Sequence, residues 1–164
     1  MKKMPSLVTS DLYQIDVVYA ATEQTLEIPA AVELKGWAVK TLSACDAEPA
    51  EVSMRIVNRE EITQLNAQYR QKATATNVLA FPLNAPLANG LCLLGDIVIC
   101  AAVVSDEAKK QAKSIQAHFA HMVIHGILHL LGYDHVEASA AEDMEQLEIN
   151  ILCSLGFPNP YNNS

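Results

Sequence analysis

The stretch that decides the fold spans residues 114–135 and reads SIQAHFAHMVIHGILHLLGYDH. The spacing predicts a helix from Ser114 to Leu131 with apolar residues on nearly every side, and a helix of that kind is usually buried in a protein core. Gly132 then allows the chain to leave the helix through a left-handed residue. We therefore expect this helix to lie inside the fold.

In the rest of the chain, predicted strands and helices alternate in the first part, and helices dominate the last part. Predicted strands cover Leu12–Ala20, residues 52–58, Val78–Phe81 (ended by Pro82) and Leu91–Cys100 (broken at Gly95-Asp96). Predicted helices cover residues 29–43, 59–68, 102–112 and 137–155. This order favours an α+β fold, a small sheet with about five helices packed against it. No second domain is indicated, so residues 1–164 are expected to form one domain.

Composition narrows the class of protein. Half of the residues are hydrophobic (51%) and 18% are charged, as in compact globular proteins. The formal net charge of −8 argues against a broad nucleic-acid-coating surface, although it leaves room for a local basic cleft. No apolar segment follows Lys2 and Lys3, no run reaches about 18 apolar residues, and the four cysteines form no Cys-x-x-Cys pair. We expect a cytoplasmic protein without a membrane span, whose cysteines are buried apolar residues.

Three histidines have the spacing of a metal site. His125 and His129 stand four apart, so their rings leave the same helix face, and His135 can swing back toward them after Gly132. Three neutral imidazoles suit an open zinc site with water in the fourth position. The pattern matches the histidines and glycine of the long zinc-peptidase motif, but Gly126 replaces the Glu that acts there as general base. The sequence therefore predicts a metal scaffold without a proteolytic base.

Neighbouring polar residues are predicted to support this site. His118 and His121 share the same helix face, and because a catalytic zinc needs only three protein ligands, we expect them to have supporting or structural roles. Asp134 is expected either to orient a ligand imidazole or to cap the loop. The acids of the last helix are expected to form a solvated face: Glu142, Glu145 and Glu148.

The ligands alone do not decide the substrate. Zinc held by three imidazoles lowers the pKa of its water toward ~7, which supports hydrolysis of a peptide, a phosphodiester or a small molecule. The loop Arg70–Asn77 carries Arg70 and Lys72, and a guanidinium fork suits phosphate and the charge that builds on it. The alternative is that both are ordinary surface charges. The chemistry favours phosphodiesters.

Three blocks of sequence resemble one known family. Residues 120–135 (AHMVIHGILHLLGYDH) resemble the signature of the YbeY family of bacterial rRNA maturation endoribonucleases. Residues 65–82 (LNAQYRQKATATNVLAFP) and 93–100 (LLGDIVIC) resemble its central motif and its strand block, in the same order and spacing. The resemblance runs from about Val52 to Tyr161.

The resemblance implies a zinc-dependent, single-strand-specific endoribonuclease that acts in 16S rRNA maturation, ribosome biogenesis and ribosome quality control, with a small mixed sheet. It implies one Zn²⁺ per chain on His125, His129 and His135, and a functional arginine at Arg70. On this basis we expect Arg70 to be catalytic and Lys72 to help hold the RNA backbone. Expected partners are single-stranded RNA, ribosomal RNA, ribosomal subunits, a small-subunit ribosomal protein and an assembly GTPase, and neither DNA nor a membrane.

The chain departs from the family pattern at Ala73 and Ala75, where Asp and Pro are usual, and at Ala80, where Ser is common. The first two lie in the loop of Arg70 and affect its rigidity and the positioning of RNA. Two rival functions stay open. One is a degenerate zinc metallopeptidase, against which Gly126 counts, and the other is a non-catalytic ribosome-assembly factor with structural zinc.

Overall fold

The fold is a four-stranded mixed sheet with five helices, within the residues that the computed structural model describes: 12–20, 26–134 and 137–161. The strands are β1 (Tyr13–Tyr19), β2 (Ala50–Val57), β3 (Val78–Pro86) and β4 (Cys92–Cys100). The helices are α1 (Ala31–Ala44), α2 (Arg59–Arg70), α3 (Ala101–Lys110), α4 (Ile115–Leu130) and α5 (Ala138–Ser154). The predicted α+β class is confirmed.

The sheet has the strand order β1-β2-β4-β3. The pairs β1–β2 and β2–β4 are parallel, whereas β3 runs antiparallel to β4, with Phe81 opposite Asp96. Side chains alternate between the two faces of the sheet. Met54 and Ile97 belong to the larger core, which includes residues of α1, α4 and α5, while Val57 and Leu79 belong to a smaller core under α2.

Helix α4 is the buried helix that its apolar composition predicts. Its largest apolar side chains are fully buried, and it contacts α1, α3, α5, β3 and β4. Ser114 caps its first turn, because the Ser114 hydroxyl accepts a hydrogen bond of 3.0 Å from the backbone N–H of Ala117. Gly132 follows its end with a φ of 101°, which glycine adopts without strain. His125 and His129 therefore lie on a central, largely buried helix.

Two predictions about the strands were wrong. β3 continues through Pro82 to Pro86, because β3 is an edge strand, where a proline is tolerated when its missing N–H would face outward. β4 is not interrupted at Gly95-Asp96, although its register against β2 shifts there. Gly95 has a φ of 154°, and a Cβ on it would lie 2.3 Å from the carbonyl oxygen of Phe81. Because Gly95 has no side chain, β3 and β4 can lie close to each other at this point.

The remaining predicted elements are present with ends that differ by two residues or fewer. No helix of the described ranges is both long enough and apolar enough to cross a membrane.

Candidate functional site

One cleft brings together the two groups of residues that the sequence singled out. It has a volume of about 580 Å³ and lies between the end of α2, the edge strand β3 and α4. Arg70 lines it from the end of α2, and His125 and His129 line it from α4. The other lining residues are Asn77, Val78, Ala80, Gly126 and Asp134. A cation and a pair of imidazoles that are far apart in sequence thus face one space.

The two histidines of α4 point their ring nitrogens at each other. The Nε2 atoms of His125 and His129 lie 3.0 Å apart, and the ring centroids are 4.5 Å apart at an angle of 75°. Nitrogens at this separation either share a proton or bind the same ion. Neutral imidazole is a preferred ligand of zinc, so the chemistry of this pair fits such an ion. His135, the third predicted ligand, lies outside the described residues.

The other ring nitrogen of His125 faces a buried carboxylate. Nδ1 of His125 lies 3.0 Å from Oε1 of Glu148, whose side chain is fully buried. Oε2 of Glu148 accepts a hydrogen bond of 2.7 Å from the Tyr161 hydroxyl and also contacts Nε2 of His121. Glu148 is therefore the centre of a cluster formed by α4, α5 and the segment after α5.

The expectation that the acids of α5 form a solvated face was wrong for Glu148. Glu142 is exposed and Glu145 is half-buried, but Glu148 shares a helix face with the buried apolar residues Met144 and Leu152. That spacing of four residues on either side was the one sequence signal that could have identified it. A charged residue within an apolar stripe indicates a buried partner.

Hydrogen bonds keep Glu148 ionised despite its burial. Burial alone would raise the pKa of this carboxyl, but hydrogen bonds from His121 and His125, the nearby His121 ring and the Tyr161 hydroxyl lower the pKa to about 2. Burial and the bond to Glu148 raise the pKa of Tyr161, so its hydroxyl stays protonated as a donor. At neutral pH, Glu148 is an acceptor only.

His118 belongs to a separate pair. Its Nε2 lies 2.9 Å from Oε1 of Glu107 on α3, and the same carboxylate accepts from the side-chain amide of Asn77. Asn77 also lines the cleft.

Among the described residues, His121, His125 and Glu148 form a group whose donor atoms lie within 4.8 Å of one another and can hold a metal ion. His121 and Glu148, however, are not among the residues that line the cleft.

The loop that follows Arg70 is anchored by Asn66. The buried Asn66 side chain donates a hydrogen bond of 2.9 Å to the carbonyl oxygen of Thr74. Gln71 ends α2 in a left-handed conformation, with its N–H donating to the carbonyl of Asn66. These contacts shape the loop although Ala73 and Ala75 replace the usual Asp and Pro. Lys72 is exposed and does not line the cleft.

Gly126 has a packing role that sequence reasoning did not supply. A Cβ on it would lie 3.0 Å from Cγ2 of Ile97, because α4 packs closely against β4 at this point. A glutamate at position 126 would require Ile97 to move. Position 126 therefore serves the close packing of the helix on the sheet, and no general base of the peptidase kind stands there.

The chain is similar to known proteins in sequence and in fold. A sequence model of the family described as "Endoribonuclease YbeY" matches residues 19–156, most of the chain, and this span includes Arg70, His125 and His129. The solution structure of TM1509 from Thermotoga maritima is similar, with a TM-score of 0.56 and 24% sequence identity over 87% of this chain and 92% of that chain. The second likeness shows the fold alone.

Proposed function

Because the chain belongs to the YbeY family of endoribonucleases, we propose that it is a zinc-dependent endoribonuclease specific for single-stranded RNA. We further propose that it acts in 16S rRNA maturation, ribosome biogenesis and ribosome quality control. The observation that carries the proposal is the shared cleft, which Arg70, His125 and His129 all line. A cation and a metal-binding pair facing one space suit a phosphodiester substrate.

His125 and His129 would hold the metal, with His135 as the proposed third ligand. The 3.0 Å separation of their Nε2 atoms supports this assignment. Imidazole ligands favour zinc among the abundant divalent ions, although other imidazole-binding ions compete for such sites. When bound, zinc would polarise a phosphate oxygen or lower the pKa of a water molecule.

Arg70 is proposed to neutralise the scissile phosphate. A guanidinium donates two parallel hydrogen bonds to non-bridging oxygens and stabilises the charge that develops on them in the transition state. Asn66 supports this role, because its bond to Thr74 fixes the loop that follows Arg70. Lys72, exposed on the same loop, is proposed to contact flanking phosphates of the RNA backbone. Asp134, which lines the cleft, is proposed to orient a ligand imidazole.

The shape of the site favours a flexible strand. The reactive groups line a concave cleft between an edge strand and a helix rather than a flat surface. A single strand can bend to place one phosphate between Arg70 and the histidines, whereas paired RNA holds its phosphates on a stiff A-form helix. With a formal net charge of −8, the protein would attract RNA through local cations rather than through its overall field.

Single-stranded RNA, ribosomal RNA and ribosomal subunits are the proposed partners. A small-subunit ribosomal protein and an assembly GTPase are proposed as further partners, and a cytoplasmic location stays a prediction.

The test is cleavage of a defined single-stranded RNA, and of the same RNA annealed to its complement, by proteins purified side by side. We expect the wild type to cut the single strand only. Arg70→Ala should keep its zinc and lose activity by about 10²–10³-fold, and His129→Ala should lose both. Lys35→Ala, an exposed charge on α1, is the matched control and should behave as the wild type.

Equal cleavage by all four proteins would identify a contaminating nuclease and contradict the proposal. Normal binding of ribosomal subunits by a wild-type protein that never cuts RNA would instead support the non-catalytic assembly factor.

A further inference from the structure

Glu148 is a charged carboxylate in the core, which is a costly arrangement. Removing a carboxylate from water is unfavourable unless hydrogen bonds compensate for the lost hydration. Here the compensation comes from three side chains in two parts of the chain: His121 and His125 on α4, and Tyr161 after α5. Apolar residues of the same face, such as Met144 and Leu152, fill the core without this cost. The carboxylate therefore needs a reason beyond packing.

We propose that Glu148 is the positioning residue of the metal site, and that Tyr161 holds it in place from the C-terminal segment. Glu148 accepts the hydrogen bond from Nδ1 of His125 and thereby turns Nε2 of that ring toward His129 and the cleft. This inference rests on the metal site proposed above and adds residues that neither line the cleft nor belong to the histidine triplet.

The ring chemistry of His125 supports this assignment. In the 3.0 Å contact with Oε1 of Glu148, the carboxylate oxygen accepts and Nδ1 of His125 donates its N–H. A neutral His125 then has its lone pair on Nε2, the atom 3.0 Å from Nε2 of His129. A carboxylate that fixes the tautomer and orientation of a ligating histidine is a recurrent device in metal sites.

The same contacts argue that Glu148 is not itself a ligand. Oε1 is occupied by His125, and Oε2 is occupied by both His121 and Tyr161. Glu148 is fully buried and does not line the cleft, so an ion that meets substrate there does not reach it. His121 and Glu148 thus act as a hydrogen-bonded support behind the ligand His125.

Tyr161 connects this support to the C-terminal segment. Its hydroxyl donates to Oε2 of Glu148 at 2.7 Å, and its ring packs edge-on against His121 with centroids 5.5 Å apart. The segment before it is held by Lys113, whose ammonium donates to the carbonyl oxygen of Pro160 at 2.8 Å. Tyr161 does not line the cleft, so it acts through the carboxylate rather than on the metal.

The experiment measures zinc affinity of chelator-stripped full-length protein, without RNA, by competition with a chromophoric chelator. We expect Glu148→Gln to bind one zinc per chain about 10–100-fold more weakly than the wild type. Tyr161→Phe removes a single hydroxyl and should weaken binding by a smaller factor. The double variant should resemble Glu148→Gln alone, because the hydroxyl acts through the carboxylate. Glu142→Gln, an exposed acid of α5, and Tyr19→Phe, whose hydroxyl donates to Pro29, are the matched controls.

Zinc X-ray absorption of the loaded proteins distinguishes a positioning residue from a metal ligand. The number and type of ligating atoms should be the same in the wild type and in Glu148→Gln. Thermal melts of the metal-free proteins separate any loss of fold from loss of affinity.

Wild-type affinity in both Glu148→Gln and Tyr161→Phe would overturn the inference and leave the metal site standing. Loss of one oxygen ligand in Glu148→Gln would also overturn it, because Glu148 would then be a ligand. A wild-type protein that binds no zinc would overturn the metal site and this inference together, which distinguishes the two failures.

Discussion

The Nε2 atoms of His125 and His129 lie 3.0 Å apart in the cleft that Arg70 also lines. Helical spacing alone brings the two histidines to one face of α4, but their approach requires each ring to adopt a particular orientation. Nδ1, the second ring nitrogen of His125, contacts Glu148, and this contact fixes the orientation of the ring. The two histidines thus line one cleft with Arg70, and a buried carboxylate supports His125 from the core.

The geometry of the guanidinium at position 70 should matter as well as its charge. Arg70→Lys keeps a positive charge but loses the planar fork, so we expect single-turnover cleavage of a single-stranded RNA to fall by at least about 10-fold with zinc affinity unchanged. Lys72→Ala removes a charge from the same loop outside the cleft and should mainly raise KM and alter its salt dependence. Wild-type cleavage rates in Arg70→Lys would reject the proposed role of the fork.

Asn66 should control activity through the loop after Arg70. Asn66→Ala removes the bond to the carbonyl of Thr74 and should lower the free energy of unfolding by about 1 kcal/mol. Asn58→Ala removes the cap at the other end of α2, where Asn58 accepts from the N–H of Glu61, at a similar cost of about 1 kcal/mol. At a temperature where both are folded, only Asn66→Ala should cut RNA more slowly. Equal rates in the two variants would show that the loop needs no such anchor.

Replacing glycine by alanine should have opposite effects on stability at positions 95 and 36. Gly95→Ala places a Cβ against the backbone oxygen of Phe81 and should lower the free energy of unfolding by about 3 kcal/mol or more, as expected for overpacking combined with backbone strain. Gly36→Ala lies on the exposed side of α1 with no neighbour within 4 Å and should raise it by up to about 1 kcal/mol. Urea unfolding of both variants measures this. Unchanged stability in Gly95→Ala would contradict the close approach of β3 and β4.

His118 should make stability depend on pH. Burial lowers the pKa of His118 below its usual 6.5, against the opposing effect of its hydrogen bond to Glu107. The unfolded chain therefore takes up the proton first, so this contribution to stability is complete above about pH 6.5 and declines as pH falls through the folded-state pKa. Glu107, His121 and Lys113 are its ionisable neighbours.

His118→Gln keeps an N–H group that can donate to Glu107 and removes the titratable imidazole. The difference in unfolding free energy between the wild type and this variant should shrink from about pH 7.5 to about pH 5.5 in urea titrations, a range that spans the usual histidine pKa. A difference that stays constant across this range would show that burial of a neutral His118 does not govern the pH dependence.

Local periodicity made the central features predictable. The apolar character of residues 114–131 predicted a buried helix, and the spacing of His125 and His129 predicted a shared face, because both depend only on helical geometry. The features that were missed depend on tertiary position. Pro82 is tolerated because β3 is an edge strand, and strand order is not a local property. The spacing of Glu148 from Met144 and Leu152 signals its burial, but no pattern within α5 specifies His121 and Tyr161 as its partners.

The position of Arg70 was predictable only in part. Its loop was recognisable by residue type, but its approach to α4 depends on β3 running antiparallel to β4 at the sheet edge. Lys72 follows Arg70 closely in sequence but does not line the cleft. Residue type alone did not distinguish the positions of these two cations.

A zinc-loaded crystal measured at the zinc absorption edge tests the central claim most directly. One anomalous peak should lie in the cleft, within bonding distance (roughly 2.0–2.1 Å) of Nε2 of both His125 and His129, with Nδ1 of His125 still on Glu148. A peak between His121 and Glu148, or no peak near His129, would contradict the account.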